Sequence, residues 1–417
     1  MNYKQKIVND PVHGFINIPA NLAAELIEHG YVQRLRNIKQ LSLSYLVYPG
    51  ACHNRFQHAL GAMYLMTQAI DILRSKGCEI TEEESEAAVC AILLHDIGHG
   101  PFSHSLEHSI ISEDTGHEDI SAVLMHEINM QMDGRLYLAI AIFNNTYHKK
   151  FLHQLVSSQL DVDRLDYLSR DSFFSGVAEG MIGLGRIIKM LNVVDDELVV
   201  EAKGIYSIEK FLISRHLMYW QVYLHKTVLA AEKILVNILR RAKELSHKGE
   251  NLFAAPALQF FLQNNITIDE FGKYSGSELP IEHFINLTDC DIESAIKVWC
   301  MNKDFVLSQL CKMLINRKLF RCRLSENPFN PENIETIRQN TKSLLRISDE
   351  DIDYFVSHEA VSSKAYTPKS ENIKILYPNG ELVDIANVSA ILTAAVFAAP
   401  TTKYALCYCK NNLQNLK

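Results

Sequence analysis

ILLHDIGHGPFSH, residues 92–104, is the stretch whose reading decides the fold. An apolar helical run ends in His95-Asp96. Gly98, Gly100 and Pro101 then break it, and His99 and His104 follow. Imidazole beside carboxylate at a helix end makes a natural metal site. A lone His-Asp pair is common, however, and a helix-end histidine is more often only hydrogen-bonded. The segment therefore acquires meaning only if other parts of the chain supply further ligands.

Upstream, HNRFQH at 53–58 opens a helix predicted from about Arg55 to Ser75, with Met63, Met66, Ile70 and Leu73 on one face. Arg55 and His58, three apart, share a face of it. Thr81 and Glu84 form a capping box for the helix that runs through Val89 and Ile92 to His95. Downstream, DVDRLDYLSRD at 161–171 sets Asp163, Tyr167 and Asp171 on one helical stripe, roughly 6 Å apart along the axis. That spacing suits a nucleotide, with metal and phosphate at one end and sugar at the other. His58, His95, Asp96 and Asp163 then form a set of two imidazoles and two carboxylates. Such mixed N/O ligation suits Fe, Mn, Ni, Co or Zn, and Mg less well. It lacks the thiolates of structural zinc. Further on, Arg215, Tyr219, Tyr223 and Lys226 fall near one helix face; read alone, a solvated face with buried Tyr bodies is the simpler account.

The 417 residues allow one large domain with additions or two domains. With 47% apolar and 22% charged residues, the composition is that of a soluble globular protein with a real core. A net charge of −8 argues against a general nucleic-acid or membrane surface, so an anionic substrate must be met by locally placed Arg and Lys. The nine cysteines are odd in number and scattered, and the Cys407/Cys409 pair is a poor zinc signature; reduced core thiols are expected. The N-terminus lacks an apolar h-region and no run approaches the ~18 residues of a membrane span, so a cytoplasmic location is expected.

Residues 1–20 read as a loop or short strands, 21–45 as helical, 117–172 as mostly helical, and 191–206 as a β-hairpin turning at Asp195-Asp196. One long helix is predicted from about Ile208 to Leu245, then helices over 250–350 broken near Pro280 and by 327–333. In the tail, IKILYPNGELVDI carries a hairpin turn at Asn379-Gly380 and TKYALCYC reads as a strand. The expected fold is mainly α: a helical bundle with a small β-hairpin and a minor β-containing C-terminal subdomain. The expected division is a core over 1–245 with the hairpin near 191–206, a helical extension over 246–368, and the small subdomain over 369–417.

The ordered set His58, His95-Asp96, Asp163 resembles the signature of the HD-domain metal-dependent phosphohydrolases. KIVNDPVHGFI, QRLRNIKQLS, YPGACHNRFQH, LLHDIGHGPFSH, GHED, LDVDRLDYLSRD and LHKTVLAAE are similar, in order, to the HD-domain deoxynucleoside triphosphate triphosphohydrolases (dNTPases) from about residue 6 to 232. The C-terminal third matches in outline. The resemblance is to the catalytic region of the vertebrate SAM/HD-domain dNTPases; the sterile-alpha-motif domain is expected to be absent, because the chain begins directly at that region. The resemblance implies an HD-domain helical bundle that cleaves a dNTP to deoxynucleoside and inorganic triphosphate.

It also implies roles. His58, His95, Asp96 and Asp163 hold the metal, and His104 protonates the departing 5′-oxygen, tuned by His117 and Glu107. His99 contacts phosphate or a second metal, such as Mg accompanying the triphosphate. Arg55, Arg164 and Arg215, with Lys226, hold the triphosphate. Gln40 and Asp171 hold the 3′-hydroxyl, Tyr167 packs on the sugar, and Leu41 with Tyr223 leaves no room for a 2′-hydroxyl. Lys6, Glu28, Gln33 and Arg36 match positions that bind an activating guanine nucleotide, although QRLR at 33–36 could equally be a salt-bridged helix face. Such a site lies between subunits, so a homo-oligomer, dimer or tetramer, is expected.

The chain departs from the vertebrate pattern at Arg164 (lysine there), at Glu107 and Glu28 (aspartate there), and in the Ser-Leu-Ser that replaces a glycine run after Leu41. Two rival readings stand beside the dNTPase. One is another HD-type phosphodiesterase or nuclease, acting on cyclic nucleotides or single-stranded nucleic acid; the sugar-contact set disfavours it. The other is a nucleotide-sensing module, which has no need for the complete ligand set.

Overall fold

A computed structural model describes residues 6–103, 106, 109, 116–273, 279–363, 372–389 and 401–410. It is mainly α, as the sequence predicts. The chain opens with an antiparallel hairpin, β1 (Lys6–Asp10) and β2 (Gly14–Ile18), and a short helix α1 (Leu22–Glu28). The helices that build the site follow: α2 (Arg55–Ser75), α3 (Glu82–Leu94), α4 (His117–Gln131) and α5 (Val162–Ser175). After the hairpin β3 (Leu191–Val194) and β4 (Glu197–Glu201) come α6 (Ile205–Met218), α7 (Lys226–His247) and, later, α8 (Asp289–Trp299). The remaining strands are β5 (Arg321–Ser325), β6 (Val356–Ser363), β7 (Lys374–Leu376), β8 (Leu382–Asp384) and β9 (Thr401–Tyr408).

Local chemistry sets the helix starts. Asn54 caps α2: its Oδ1 accepts Gln57 N–H at 3.0 Å and Gln57 Oε1 accepts Asn54 N–H at 2.9 Å. Thr81 and Glu84 make the expected box on α3, with N···O distances of 3.1 and 2.8 Å. Asp161 caps α5 by accepting Arg164 N–H at 2.7 Å, and Gly176, at φ 74°, ends it. α2 packs on both α3 and α5. At Gly61 a Cβ would sit 2.0 Å from Asp166 Oδ1 and 2.2 Å from Arg170 Nη2, so only glycine lets α5 come this close. The buried apolar side chains form one cluster that includes residues of both the helices and the tail.

Several expectations need correction. The helical spacing over 21–45 is realised in pieces, because His29 is extended (ψ 137°) and its Nδ1 caps a new turn by accepting Tyr31 N–H at 3.3 Å. The long helix over 208–245 is two helices. α6 ends at Met218, Tyr219–Tyr223 form a π turn, and an extended His225 caps α7 by accepting Thr227 N–H at 3.2 Å. The breaks expected near Pro280 and over 327–333 do hold: Pro280 and Pro331 open the helices Pro280–Asn286 and Pro331–Leu345, since proline is preorganised for the first helical position.

The hairpin at 191–201 turns at Asp195 and Asp196, both with positive φ (51° and 62°). It is not isolated: β4 pairs in parallel with β7, giving a four-stranded sheet β3-β4-β7-β8 whose second hairpin turns at Gly380 (φ 85°). β5 and β6, not expected from the sequence, flank β9 in a three-stranded sheet. Among the described residues, no helix is long and apolar enough to cross a membrane.

Candidate metal centre

The break after α3 and the facing sides of α2 and α5 bring three ligand atoms together. One atom each from His58, His95 and Asp163 lies within 4.8 Å of the others. His58 Nε2 is 3.1 Å from Asp163 Oδ1 and 3.4 Å from His95 Nε2, and His95 Nε2 is 3.4 Å from Asp163 Oδ1. Asp96 closes the group, its Oδ1 3.4 Å from His95 Nε2 and its Oδ2 3.8 Å from His58 Nε2. Three of the four residues named from the sequence thus share one point, and Asp96 lies beside it against the two imidazoles.

The donor set fits a borderline transition ion, and the outer atoms are arranged for it. His95 Nδ1–H donates to Ile92 O at 2.6 Å and His58 Nδ1–H to Asp166 Oδ2 at 2.8 Å, which leaves both Nε2 atoms free to ligate. Burial disfavours charge on His58, but Asp163 and Asp166 outweigh it and push its pKa up to about 10. Burial likewise opposes ionisation of Asp163, yet His95 and His58 hold its carboxyl below the usual range. Metal and proton therefore compete for His58, and loading weakens as pH falls.

Asp166 was not singled out from the sequence, yet it anchors the centre from below. It accepts from His58, from His13 Nε2 at 2.6 Å, and from Arg170 at 2.9 and 3.0 Å; Arg170 also reaches Asp10 Oδ2 at 2.8 Å. Asp166 and Arg170 are both fully buried. The signal that could have found them is the i,i+4 pair in DRLDYLSR, which reads equally well as a surface salt bridge.

Arg55 ties the two sides of the loop together, donating to Asp96 and, at 2.6 Å, to Ser103 Oγ. His99 Nε2 is 3.3 Å from Asp96 Oδ1, and its ring stacks on His117 at 3.9 Å. Burial and the Arg55 charge push His99 down to about 3, so its imidazole is neutral at pH 7. Gly98 is obligatory in this loop, because a Cβ would meet His117 O at 2.2 Å. His104 and Glu107 lie outside the described residues. His95, Asp96, His117, Asp163 and Arg164 line one cleft of about 350 Å³.

Eight residues beyond Asp163, Asp171 is buried and accepts Tyr223 O–H at 2.7 Å and His53 Nε2–H at 2.8 Å. Tyr167 meets Tyr223 edge-on at 6.1 Å. His53, which stacks on Phe174 at 4.5 Å, is a second residue that the sequence did not single out. Gln40 Oε1 is buried with no hydrogen-bond partner among the described residues, and Leu41 beside it is buried. Arg164 pairs with Asp161, and Arg215 Nη1 donates to Gln159 Oε1 at 3.2 Å. The Nε atoms of Arg55, Arg164 and Arg215 are all buried without a partner among the described residues. Lys226 is exposed at the first residue of α7. Lys6, Glu28 and Arg36 line a separate cleft of about 270 Å³. There Lys6 Nζ donates to Glu28 Oε1 at 2.6 Å and Arg36 Nε to Gln33 Oε1 at 2.8 Å.

The HD domain family matches residues 55–171, and the HD associated region matches 182–258. An uncharacterized protein of Bacillus subtilis, YwfO, is 32% identical over 403 residues, which is 93% of this chain and 89% of that protein. The crystal structure of a phosphohydrolase from Bacteroides thetaiotaomicron is 51% identical, covers 98% of this chain and 100% of its own, and superposes with a TM-score of 0.93. A deoxynucleoside triphosphate triphosphohydrolase homolog from Dictyostelium discoideum is 30% identical over 265 residues, 59% of this chain. The match spans 51% of that relative's own length.

Proposed function

We propose, from the premise that this chain belongs to the HD-domain hydrolase family, that it hydrolyses a deoxynucleoside triphosphate to deoxynucleoside and inorganic triphosphate. The observation that carries this reading is the trio of arginines at 55, 164 and 215, each with a buried Nε that finds no acceptor among the described residues. Buried donors are rarely left unpaired, because each costs about 1–3 kcal/mol. The oxygens of a triphosphate would satisfy all three. The relative from Dictyostelium discoideum named for this activity supports the substrate class.

His58, His95, Asp96 and Asp163 would hold a divalent transition ion (Fe, Mn, Ni, Co or Zn), with Mg accompanying the triphosphate. Such an ion makes water a stronger nucleophile near neutral pH and offsets charge on a phosphoryl oxygen. The chain's own groups do the rest. Arg55, braced by Asp96 and Ser103, and Arg164 and Arg215 fix the triphosphate, with Lys226 at its outer end. His99, neutral at pH 7, donates to or accepts from a phosphate oxygen without adding charge. His104, assisted by Glu107 and His117, protonates the departing 5′-oxygen. Asp171 and the open Gln40 Oε1 take the 3′-hydroxyl, and Tyr167 packs on the sugar. Lys6, Glu28, Gln33 and Arg36 would take an activating nucleotide between subunits of a dimer or tetramer.

Leu41 and Tyr223 exclude a 2′-hydroxyl by contact. Leu41→Ala should therefore lower the dNTP/NTP ratio of kcat/KM on the order of tenfold; an unchanged ratio would remove Leu41 from the sugar gate. The reading as a whole is tested by incubating the metal-loaded protein with each dNTP, each NTP and a cyclic dinucleotide, and identifying the products. Triphosphate and deoxynucleoside from dNTP are expected. Pyrophosphate or monophosphate as the product, or turnover of the diester alone, would overturn it.

A further inference from the structure

Asp289, the first residue of α8, lies outside both segments matched by the HD families and is 2% exposed. Its carboxylate joins two parts of the site that are distant in sequence. Oδ2 accepts Lys39 N–H at 2.9 Å and Lys39 Nζ at 3.3 Å. Oδ1 accepts Phe102 N–H at 3.3 Å. Lys39 directly precedes Gln40 and Leu41 and bridges to Asn54, the cap of α2. Phe102 and Ser103 have φ of 53° and 42°, left-handed values that non-glycine residues keep only where neighbours hold them. Ser103 in turn receives Arg55.

A second tether acts on the same piece of chain. The buried Arg34 donates from Nε to Leu287 O and from Nη1 to Ile97 O, both at 3.3 Å, with its guanidinium 4.4 Å over the Phe284 ring. Leu287 and Asp289 together thus hold the 97–103 loop and the 34–41 turn at two points.

We propose that Asp289 is a positioning residue: its carboxylate fixes the turn carrying Gln40 and Leu41 against the loop carrying the metal ligands and Ser103, and so sets the distance between sugar contacts and reacting phosphate. No group on Asp289 touches substrate. The proposal rests on the dNTPase reading. Asp289→Asn keeps the shape but turns one of the two acceptor oxygens into a donor, so either Lys39 or Phe102 loses its partner. A misplacement of about 1 Å between bound groups can cost up to a hundredfold in rate.

Asp289→Asn should lower kcat for dNTP by tenfold to a hundredfold. KM, the Kd of a non-hydrolysable dNTP analogue and the metal stoichiometry should stay close to wild type, and the one lost hydrogen bond should lower Tm by a few degrees while the protein stays folded at the assay temperature. A kcat equal to wild type overturns the proposal. So does a loss of kcat that comes with lost metal or lost analogue binding in both Asp289→Asn and Asp289→Ala, since the role is then only structural. Wild-type protein inactive on every dNTP would instead sink the reaction itself, so the two failures are distinguishable.

Discussion

Asp163→Ala is expected to leave the chain folded, to strip its metal and to cut hydrolysis on the order of 10³-fold. Asp163 Oδ1 lies within 3.4 Å of both His58 Nε2 and His95 Nε2, so its loss removes the ligand that closes the triangle. The side chain is about one quarter exposed, and the cap of α5 is Asp161 rather than Asp163. The fold should therefore survive. A bound ion supplies several kcal/mol of charge stabilisation, and each 1.36 kcal/mol is a factor of ten in rate. Equilibrium dialysis with elemental analysis reads the metal, and product chromatography reads the rate. A variant that keeps stoichiometric metal and wild-type turnover would remove Asp163 from the centre.

Asp166→Ala should damage both stability and metal affinity. The carboxylate accepts from His13, His58 and Arg170, all buried. Removing it leaves the Arg170 guanidinium with Asp10 alone among the described residues, and breaking a buried charged pair costs about 3–5 kcal/mol. It also frees the His58 ring, whose orientation depends on the Nδ1–H bond; losing such a partner weakens metal binding about 10–100-fold. Asp166→Asn keeps one acceptor oxygen, enough for one of the two imidazoles and one nitrogen of Arg170, and should lose less stability than Asp166→Ala while still weakening metal binding. Chemical denaturation and metal titration read the two effects. An unchanged denaturation midpoint in Asp166→Ala would show that the buried network contributes nothing net.

The contrast between these residues shows what a sequence discloses. The cluster of His58, His95 and Asp163, with Asp96 beside it, was legible because each sits at a helix end or on a stripe with local meaning: His58 one turn after the Asn54 cap, His95-Asp96 at the glycine break, Asp163 behind the Asp161 cap. The α2 boundaries and the turns at Asp195-Asp196 and Asn379-Gly380 were legible for the same reason. Asp166 and Arg170 were not, since spacing shows that two charges can pair but not that they are buried. Asp289 was still less visible, because its partners Lys39 and Phe102 are 250 and 187 residues away. Long-range pairing also hid β5 and β6, whose short stretches declare themselves only against β9. The π turn at Tyr219–Tyr223 escaped because apolar spacing continues across it; its outcome is to place Tyr223 on Asp171.

The most direct measurement is hydrolysis of a dNTP in ¹⁸O-labelled water by the metal-loaded protein, followed by mass spectrometry of each product. One ¹⁸O atom in the inorganic triphosphate, with an unlabelled deoxynucleoside, is the expected result: water attacks the α-phosphorus and the 5′-oxygen leaves. Label in a deoxynucleoside monophosphate, in orthophosphate or pyrophosphate, or in the deoxynucleoside itself would contradict it.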